Sequence, residues 1–329
     1  MRVRILPVQP HCFAFGGFEI QMLAALAASA EAGCEIKPLD IWSRTADFDI
    51  LHLWGYEITH INVAEWAKRA KKRVLLTALL PYKGLEATLG RIIHCATGFS
   101  RLEWRLRKLI DRLVVVNEEQ AQFACSRLGF SRQDVSIVPN IVHDNFWLGQ
   151  SGEADRADPD YVLCTGNICS RKGQLRLAKV CLEVQRKLLI VGDVLTGEEA
   201  YGNQLRALAS GNEQIQWMRP MVYGSKELVN VYRNARCFAT LSSAETQPIS
   251  ALEAAVSQTA LVLPDRPFAW QHVYENAKLV DPFSSRSSCE GIEAAWLEPN
   301  RYRVPLSNLK GCSSTEVGLA YQRIYTSLQ

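Results

Sequence analysis

No apolar run in this chain of 329 residues approaches the ~18 residues needed to cross a bilayer, which excludes a helical integral membrane protein. A secretory leader is not expected either. Met1-Arg-Val-Arg-Ile-Leu-Pro7 turns polar and aromatic too soon for one and reads instead as a first β-strand, so a cytosolic location is expected. Cysteine lacks any regular spacing: several of the ten fall inside candidate strands (Cys164, Cys237) or helices (Cys125, Cys181), as reduced core residues do. No zinc module or aromatic-interleaved basic motif occurs, which sets nucleic acid aside as a partner. Nor does one sign of charge dominate overall, the formal net being +3.

What the chain has is alternation. Its length exceeds what one hydrophobic core usually organises and points to two domains of roughly 150 residues each. With 48% hydrophobic and 22% charged residues, the composition is that of an ordinary soluble enzyme. Short apolar runs at 2–8, 35–39, 50–54, 73–77, 113–117 and 135–139 are each followed by helical or loop sequence. A polar stretch rich in Gly, Asp and Pro at 148–160 reads as a linker, and the alternation then resumes with 161–165, 188–191, 214–218, 237–241, 260–263 and 278–280. The expected fold is α/β, two Rossmann-like doubly wound domains facing across a cleft.

Two carboxylates, Glu245 and Glu253, stand eight residues apart in Leu241-Ser-Ser-Ala-Glu-Thr-Gln-Pro-Ile-Ser-Ala-Leu-Glu253. The apolar run before them reads as a buried strand and 249–256 as a helix, so Glu245 falls in the loop at a strand's C-terminal end and Glu253 about one turn into the helix. That edge of an open α/β sheet is where ligands bind. Glycine turns mark other strand ends. Gly16-Gly17 opens an Ala-rich helix at 20–32, where small residues let helix N-terminal amides approach an anion or simply serve a tight turn. Thr165-Gly166-Asn167-Ile-Cys-Ser170-Arg171-Lys172-Gly173 presents Arg and Lys beside glycine at a helix start, a combination suited to a pyrophosphate. At Gly192-Asp193 the glycine ends a strand and the aspartate reads as a turn residue.

The charge is uneven. Between Lys68 and Arg112 stand twelve Lys or Arg against Glu86, Glu103 and Asp111. Arg101, Arg105, Lys108 and Arg112 recur at helical spacing opposite an apolar stripe of Phe99, Leu102, Leu106, Leu109 and Leu113. This reads either as the solvated face of a core-packed helix or as a surface attracted to anionic lipid or a phosphate-bearing acceptor.

Taken in order, Phe15-Gly16-Gly17, Val138-Pro-Asn-Ile-Val142, Thr165-Gly-Asn with Arg171-Lys172-Gly173, Leu189-Ile-Val-Gly-Asp193, Tyr232-Arg-Asn-Ala-Arg-Cys237, Glu245 with Glu253, and Tyr321 and Tyr325 of a terminal helix form a series. That series resembles the retaining glycosyltransferases of family 4, the glycosyl transferases group 1, over most of the chain. The resemblance implies the GT-B fold, with an acceptor-binding domain at 1–150, a nucleotide-sugar-binding domain at 151–313, and a terminal helix at 314–329 returning toward the first. It implies that Glu245 lies near the transferred sugar and Glu253 holds the ribose hydroxyls. Because negative charge grows on the departing diphosphate, cations belong at the phosphates. Lys172 is the candidate, aided by Arg171 and by the amides of Gly16 and Gly17, while backbone N–H groups over Thr246, Gln247, Pro248 and Ile249 hold sugar hydroxyls.

On this reading no metal or other cofactor is required. Asp47-Phe-Asp49 superficially matches an Asp-x-Asp metal motif, but it precedes the strand at 50–54 and lies at the edge away from the cleft. The expected function is metal-independent transfer of a sugar from a nucleotide-diphosphate donor to a glycan, lipid-linked or small-molecule acceptor. Surface polysaccharide assembly, at the inner face of a membrane contacted through Arg101, Arg105, Lys108 and Arg112, is the pathway implied. Two positions depart from the family pattern. Asn167 stands where an arginine is frequent, and Leu79-Leu80-Pro81-Tyr82 offers no histidine where one commonly contacts the donor sugar. Of the six histidines, His11 and His52 are the two placed to reach the cleft, and both also read as structural. These departures motivate an alternative, a catalytically silent GT-B subunit that binds a nucleotide-sugar or a partner enzyme. A GT-B-type sugar-nucleotide epimerase is a third reading, which the paired glutamates disfavour.

Overall fold

The computed structural model describes residues 1–13, 16–80, 99–147 and 160–329. These group into two compact units, Met1–Ile141 with Gly311–Gln329, and Val142–Lys310. The stretch read as a linker lies outside the described residues except for Asp160, as do Phe15, Pro81, Tyr82 and His94.

In the first unit β1 (Arg2–Pro7), β2 (Glu35–Pro38), β3 (Ile50–Trp54), β4 (Arg73–Thr77), β5 (Arg112–Val115) and β6 (Val135–Ile137) form one parallel sheet in the order β2-β1-β3-β4-β5-β6. Every residue of β3 is buried, as the continuous apolar run requires of a parallel strand covered on both faces. Successive side chains point to opposite faces. Val3, Ile5, Ile50, Leu75 and Val114 pack with Met22, Ala25 and Ala28 of the helix Gly17–Glu31 and with Val317, Tyr321 and Tyr325 of the final helix Ser314–Ser327. Leu51, Leu53, Val74, Leu76, Leu113 and Val115 pack on the other side with Ala64, Leu106, Ala121 and Ala124. The final helix lies backbone to backbone on the first, since a Cβ added at Gly318 would stand 2.3 Å from the carbonyl oxygen of Ala28.

His52, in the middle of β3, ties that helix to the sheet. Its Nδ1 is 2.9 Å from the Tyr325 hydroxyl and its Nε2 2.8 Å from Thr77 Oγ1, which is itself 3.1 Å from the Tyr321 hydroxyl. Burial holds the imidazole pKa down at about 3, and the neutral ring offers one donor and one acceptor to match the hydroxyls. His52 is therefore a strut within the first unit, in keeping with the structural reading of this histidine.

The second unit repeats the plan. β7 (Tyr161–Thr165), β8 (Lys187–Val191), β9 (Ile215–Met218), β10 (Cys237–Ala239), β11 (Ala260–Pro264) and β12 (Lys278–Val280) are all parallel, in the order β12-β11-β10-β7-β8-β9. Cys164, Cys181 and Cys237 are buried in its core, and no disulfide forms among the described residues. All twelve strand candidates are present, with ends moved by no more than two residues.

Candidate functional site

The strand order of the second sheet locates a site before any side chain is considered. From β7 the chain winds outward through β8 and β9, then crosses back to lay β10 against the other side of β7. Loops leaving the C-terminal ends of β7 and β10 therefore diverge at the topological switch point, the crevice where such sheets take ligands. They are the two loops singled out in the sequence. They are laced together: Ser243 N–H donates to the Arg171 carbonyl at 2.9 Å, and Arg176 Nη2 to the Leu241 carbonyl at 2.8 Å. Gly173 makes this approach possible. Its φ is +74°, and a Cβ there would stand 2.5 Å from the Leu241 carbonyl oxygen.

Glu245 sits at the junction. Its Oε1 is 2.8 Å from Lys172 Nζ and 2.7 Å from Arg171 Nη1, and accepts from Ser242 Oγ at 3.2 Å. Burial pushes this carboxyl up, but the Lys172 ammonium and then the Arg171 guanidinium outweigh it and hold the pKa below the usual range. The Lys172 and Glu245 side chains are only 16% and 11% exposed, so water screens their attraction little. Arg171, at 47%, reaches in from solvent and also donates to the Ala244 carbonyl. Lys172 Nζ lies beside the turn, 3.7 Å from where a Cβ at Gly166 would stand, an ordinary contact; it is the φ of +122° that calls for glycine there.

Glu253 is placed differently. It is 5% exposed, on the helix Ile249–Val256, and burial raises its pKa to about 7, offset in part by a 2.6 Å hydrogen bond donated by the Tyr232 hydroxyl to Oε2. The Tyr232 hydroxyl in turn meets Thr165 Oγ1, the last residue of β7 before Gly166. Oε1 of Glu253 has no partner among the described residues. Both carboxylates thus converge on the Thr165–Gly166 turn, Glu245 through Lys172 and Glu253 through Tyr232.

Between the two lies the start of the helix Ile249–Val256, whose first amides lack intrahelical partners. Thr246 and Gln247 are fixed by Gln271, which donates to the Thr246 carbonyl at 2.8 Å and accepts from Gln247 Nε2 at 2.9 Å. Pro248 has no N–H to offer, which corrects its inclusion among the sugar-holding amides; its carbonyl accepts from the Tyr274 hydroxyl at 3.2 Å. Asn167 is exposed and presents a neutral side chain, while its carbonyl accepts from Gln174 Nε2 at 2.8 Å.

Gly16 and Gly17 belong to the first unit, at the start of the helix Gly17–Glu31. The Gly16 amide already donates to Glu19 Oε2 at 2.9 Å, so a carboxylate of the chain itself takes the place expected for an anion there. Leu80 is buried in the core, where its carbonyl accepts from Gln120 Nε2. Asp47 pairs with Arg2, and Asp49 accepts from the Arg2 amide at 2.7 Å, both just before the N-terminal end of β3 and so at the opposite edge of the sheet from the loops that follow its strands.

The cationic helix spans Phe99–Leu109, shorter than its sequence pattern. Arg112 lies in β5, with Nη1 bound to the Gln133 carbonyl, and is removed from the exposed basic face. Arg101, Trp104, Arg105 and Lys108 share that face, with Lys108 Nζ 3.5 Å from the centre of the Trp104 ring. Arg105 joins Glu65 at 2.6 Å on the neighbouring helix Ile61–Arg69, whose outward face carries Trp66 and Arg69. Trp66 and Trp104 are 62% and 59% exposed. Among the described residues, no helix is long and apolar enough to cross a membrane.

Tyr232, Thr165 and Gln271 were not assigned site roles from the sequence. Tyr232 belongs to a recognisable series, but nothing in its spacing shows that its hydroxyl reaches Glu253. Gln271 acts from the segment after β11, beyond the reach of any local pattern.

Residues 159–295, which fall within the second unit, match the family described as glycosyl transferases group 1. Curated protein sequences give no match. Among solved structures, Anabaena HepE in complex with UDP superposes with a TM-score of 0.76 at 15% identity, covering 100% of this chain and 99% of that one. Sucrose-phosphate synthase from Thermosynechococcus elongatus gives 0.72 at 14%, covering 100% and 99%, and a glycosyltransferase from Rickettsia africae 0.71 at 11%, covering 99% and 97%. At such identities the likeness establishes the fold, that of GT-B glycosyltransferases. Further HepE structures hold UDP-glucose, or UDP and glucose.

Proposed function

We propose that this protein is a retaining glycosyltransferase that moves a sugar from a nucleotide-diphosphate donor to a glycan, lipid-linked or small-molecule acceptor. The observation that carries the reading is the clamp of Lys172 and Arg171 on Glu245 at the switch point of the second sheet. Breaking the anomeric C–O bond leaves an oxocarbenium-like sugar and a diphosphate gaining negative charge. Lys172, with Arg171 behind it, meets the diphosphate; this fixed, poorly screened ammonium stabilises charge as it develops. Glu245, released from part of its pairing when phosphate oxygens compete for the same cations, faces the cationic sugar. Glu253 takes the ribose hydroxyls, and the amides of Thr246, Gln247 and Ile249 take those of the sugar. The diphosphate charge is assigned to side chains and to no metal.

The test is turnover of a panel of nucleotide sugars, read as nucleoside diphosphate release, with NMR of the product's anomeric configuration and a chelator control. Product of inverted configuration, or activity abolished by chelator and restored by a divalent ion, overturns the corresponding part. Asn167, neutral where the family frequently places an arginine, favours a second reading as a silent nucleotide-sugar-binding subunit. Binding without turnover across a broad acceptor panel supports it.

The aromatic and cationic face of the helices Ile61–Arg69 and Phe99–Leu109 fits peripheral contact with an anionic membrane from the cytosolic side. Exposed indoles suit the interfacial layer, and cations suit acidic headgroups. A lipid-linked acceptor would then be met where it resides.

A further inference from the structure

We infer that Tyr232 is a positioning residue, which aims the one open oxygen of Glu253 at the donor's ribose diol and locks it in the same frame as the turn that carries Lys172. The inference rests on the reading of Glu253 as the ribose ligand and adds to it the group that makes Glu253 able to serve.

Tyr232 is immobilised on every side. Its ring is fully buried at the end of the helix Lys226–Arg233. Phe146 meets it edge-on at 5.4 Å and Phe238 stacks at 6.1 Å, while Thr259 Oγ1 donates to its carbonyl at 2.7 Å. The hydroxyl therefore stands at one fixed point. With Glu253 ionised it donates to Oε2, and since it has a single proton, the bond from Thr165 then runs from the threonine hydroxyl into the tyrosine oxygen. The direction of the chain is thus set: Thr165 donates to Tyr232, and Tyr232 to Glu253.

Two consequences follow for the carboxylate. The last torsion of a glutamate is broad, and the bond to Oε2 removes that freedom, leaving Oε1 as the acceptor presented to a ligand. A buried carboxylate also resists ionisation, and the donated hydrogen bond favours its charged form. A charged acceptor binds a hydroxyl more strongly than a neutral one. Because Thr165 directly precedes Gly166, the same chain fixes the distance between ribose and phosphate contacts on the donor. A purely structural tyrosine would need only its ring, which the two phenylalanines already hold.

The experiment uses the full chain and calorimetric titration with four nucleoside diphosphates (UDP, ADP, GDP, CDP), each against its 2′,3′-dideoxy counterpart. For whichever the wild type binds, Tyr232→Phe is expected to weaken the ribose form about tenfold and to leave the dideoxy form unchanged, so that discrimination collapses. Thr165→Val, which leaves the ring and its hydroxyl in place, should shift the ratio the same way by less. In a Glu253→Gln background, Tyr232→Phe should add nothing further to the loss. Equal weakening of ribose and dideoxy forms, or discrimination retained in both variants, overturns the inference while the donor reading stands. A wild type that binds these nucleotides without discriminating ribose overturns the role of Glu253 and the inference with it. A wild type that binds none of the four overturns the donor reading itself.

Discussion

Lys172 Nζ and Glu245 Oε1 lie 2.8 Å apart, the one presented by the loop after β7 and the other by the loop after β10. Each neutralises the other where water has little access, so an anion that takes the lysine releases the glutamate from part of its pairing, with Arg171 and Ser242 holding the rest. Binding of an anion and loosening of the carboxylate are thereby coupled.

That exchange separates two quantities in a Glu245→Gln variant. Turnover should fall about 100-fold or more, whereas nucleoside diphosphate should bind as tightly as to the wild type or tighter, because the cations no longer have an internal partner. Folding stability should drop by about 1–3 kcal/mol for the ion pairs broken, with the half-exposed Arg171 contributing least. Initial rates and calorimetry on one preparation measure both effects, and parallel loss of binding and turnover contradicts the exchange.

Lys172→Ala should act in the opposite sense on binding. Affinity for the diphosphate is expected to fall about 10- to 100-fold, and the dependence of the remaining affinity on salt to become shallower as one cation is lost. Titrations at several ionic strengths check this.

The pKa of Glu253, raised to about 7, carries a definite sign. An unfolded glutamate titrates near 4.3, so this group favours folding fully below that value and the contribution is lost as pH rises through about 7. Donor affinity should run the other way and improve from about pH 6 to about pH 8 as the acceptor ionises. Glu253→Gln should flatten both profiles, and denaturant unfolding and ligand titration across the same range measure them.

His52 opposes this in acid. Its folded pKa of about 3 lies below the ordinary 6.5, so its contribution is complete above the ordinary value and declines as pH falls, by at most ~1.4 kcal/mol per pH unit. His52→Gln should lose about 2–4 kcal/mol at neutral pH, through hydroxyls left without partners, and should lose less than the wild type on acidification. Urea unfolding at neutral and acid pH decides it.

Trp66→Ala and Trp104→Ala should each weaken sedimentation with phosphatidylglycerol-containing vesicles, by up to about tenfold. Arg101→Glu with Arg105→Glu should abolish the preference over pure phosphatidylcholine. Unchanged binding in all variants removes the membrane contact.

The strands were legible because parallel strands buried on both faces leave short continuous apolar runs, as in Ile50-Leu-His-Leu-Trp54. The meeting of Glu245 with Lys172 was legible for a topological reason, since both follow strands at the same sheet edge. The end of the cationic helix was hidden because Leu109 and Leu113 keep helical spacing while only the first is helical; the second belongs to β5. At Gly16 a local signal was available and outweighed, for a glutamate three residues into the helix is the signature of a capping carboxylate. Gln271 and the hydroxyl of Tyr232 act across sequence separations that no periodicity encodes.

The first unit is sewn shut by its latest-made segment, as Gly318 against Ala28 and Tyr325 against His52 make plain. A ribosome delivers β1 to β6 long before it delivers Ser314–Ser327, so one face of the first sheet must wait, covered only in part by the helix Gly17–Glu31, while all of Val142–Lys310 is synthesised. The second unit, contiguous in the chain, can mature during that interval. Truncations that stop short of residue 314 should therefore leave soluble, nucleotide-competent second units joined to first units prone to chaperone capture, and pulse-labelled nascent chains would display that sequence of maturation.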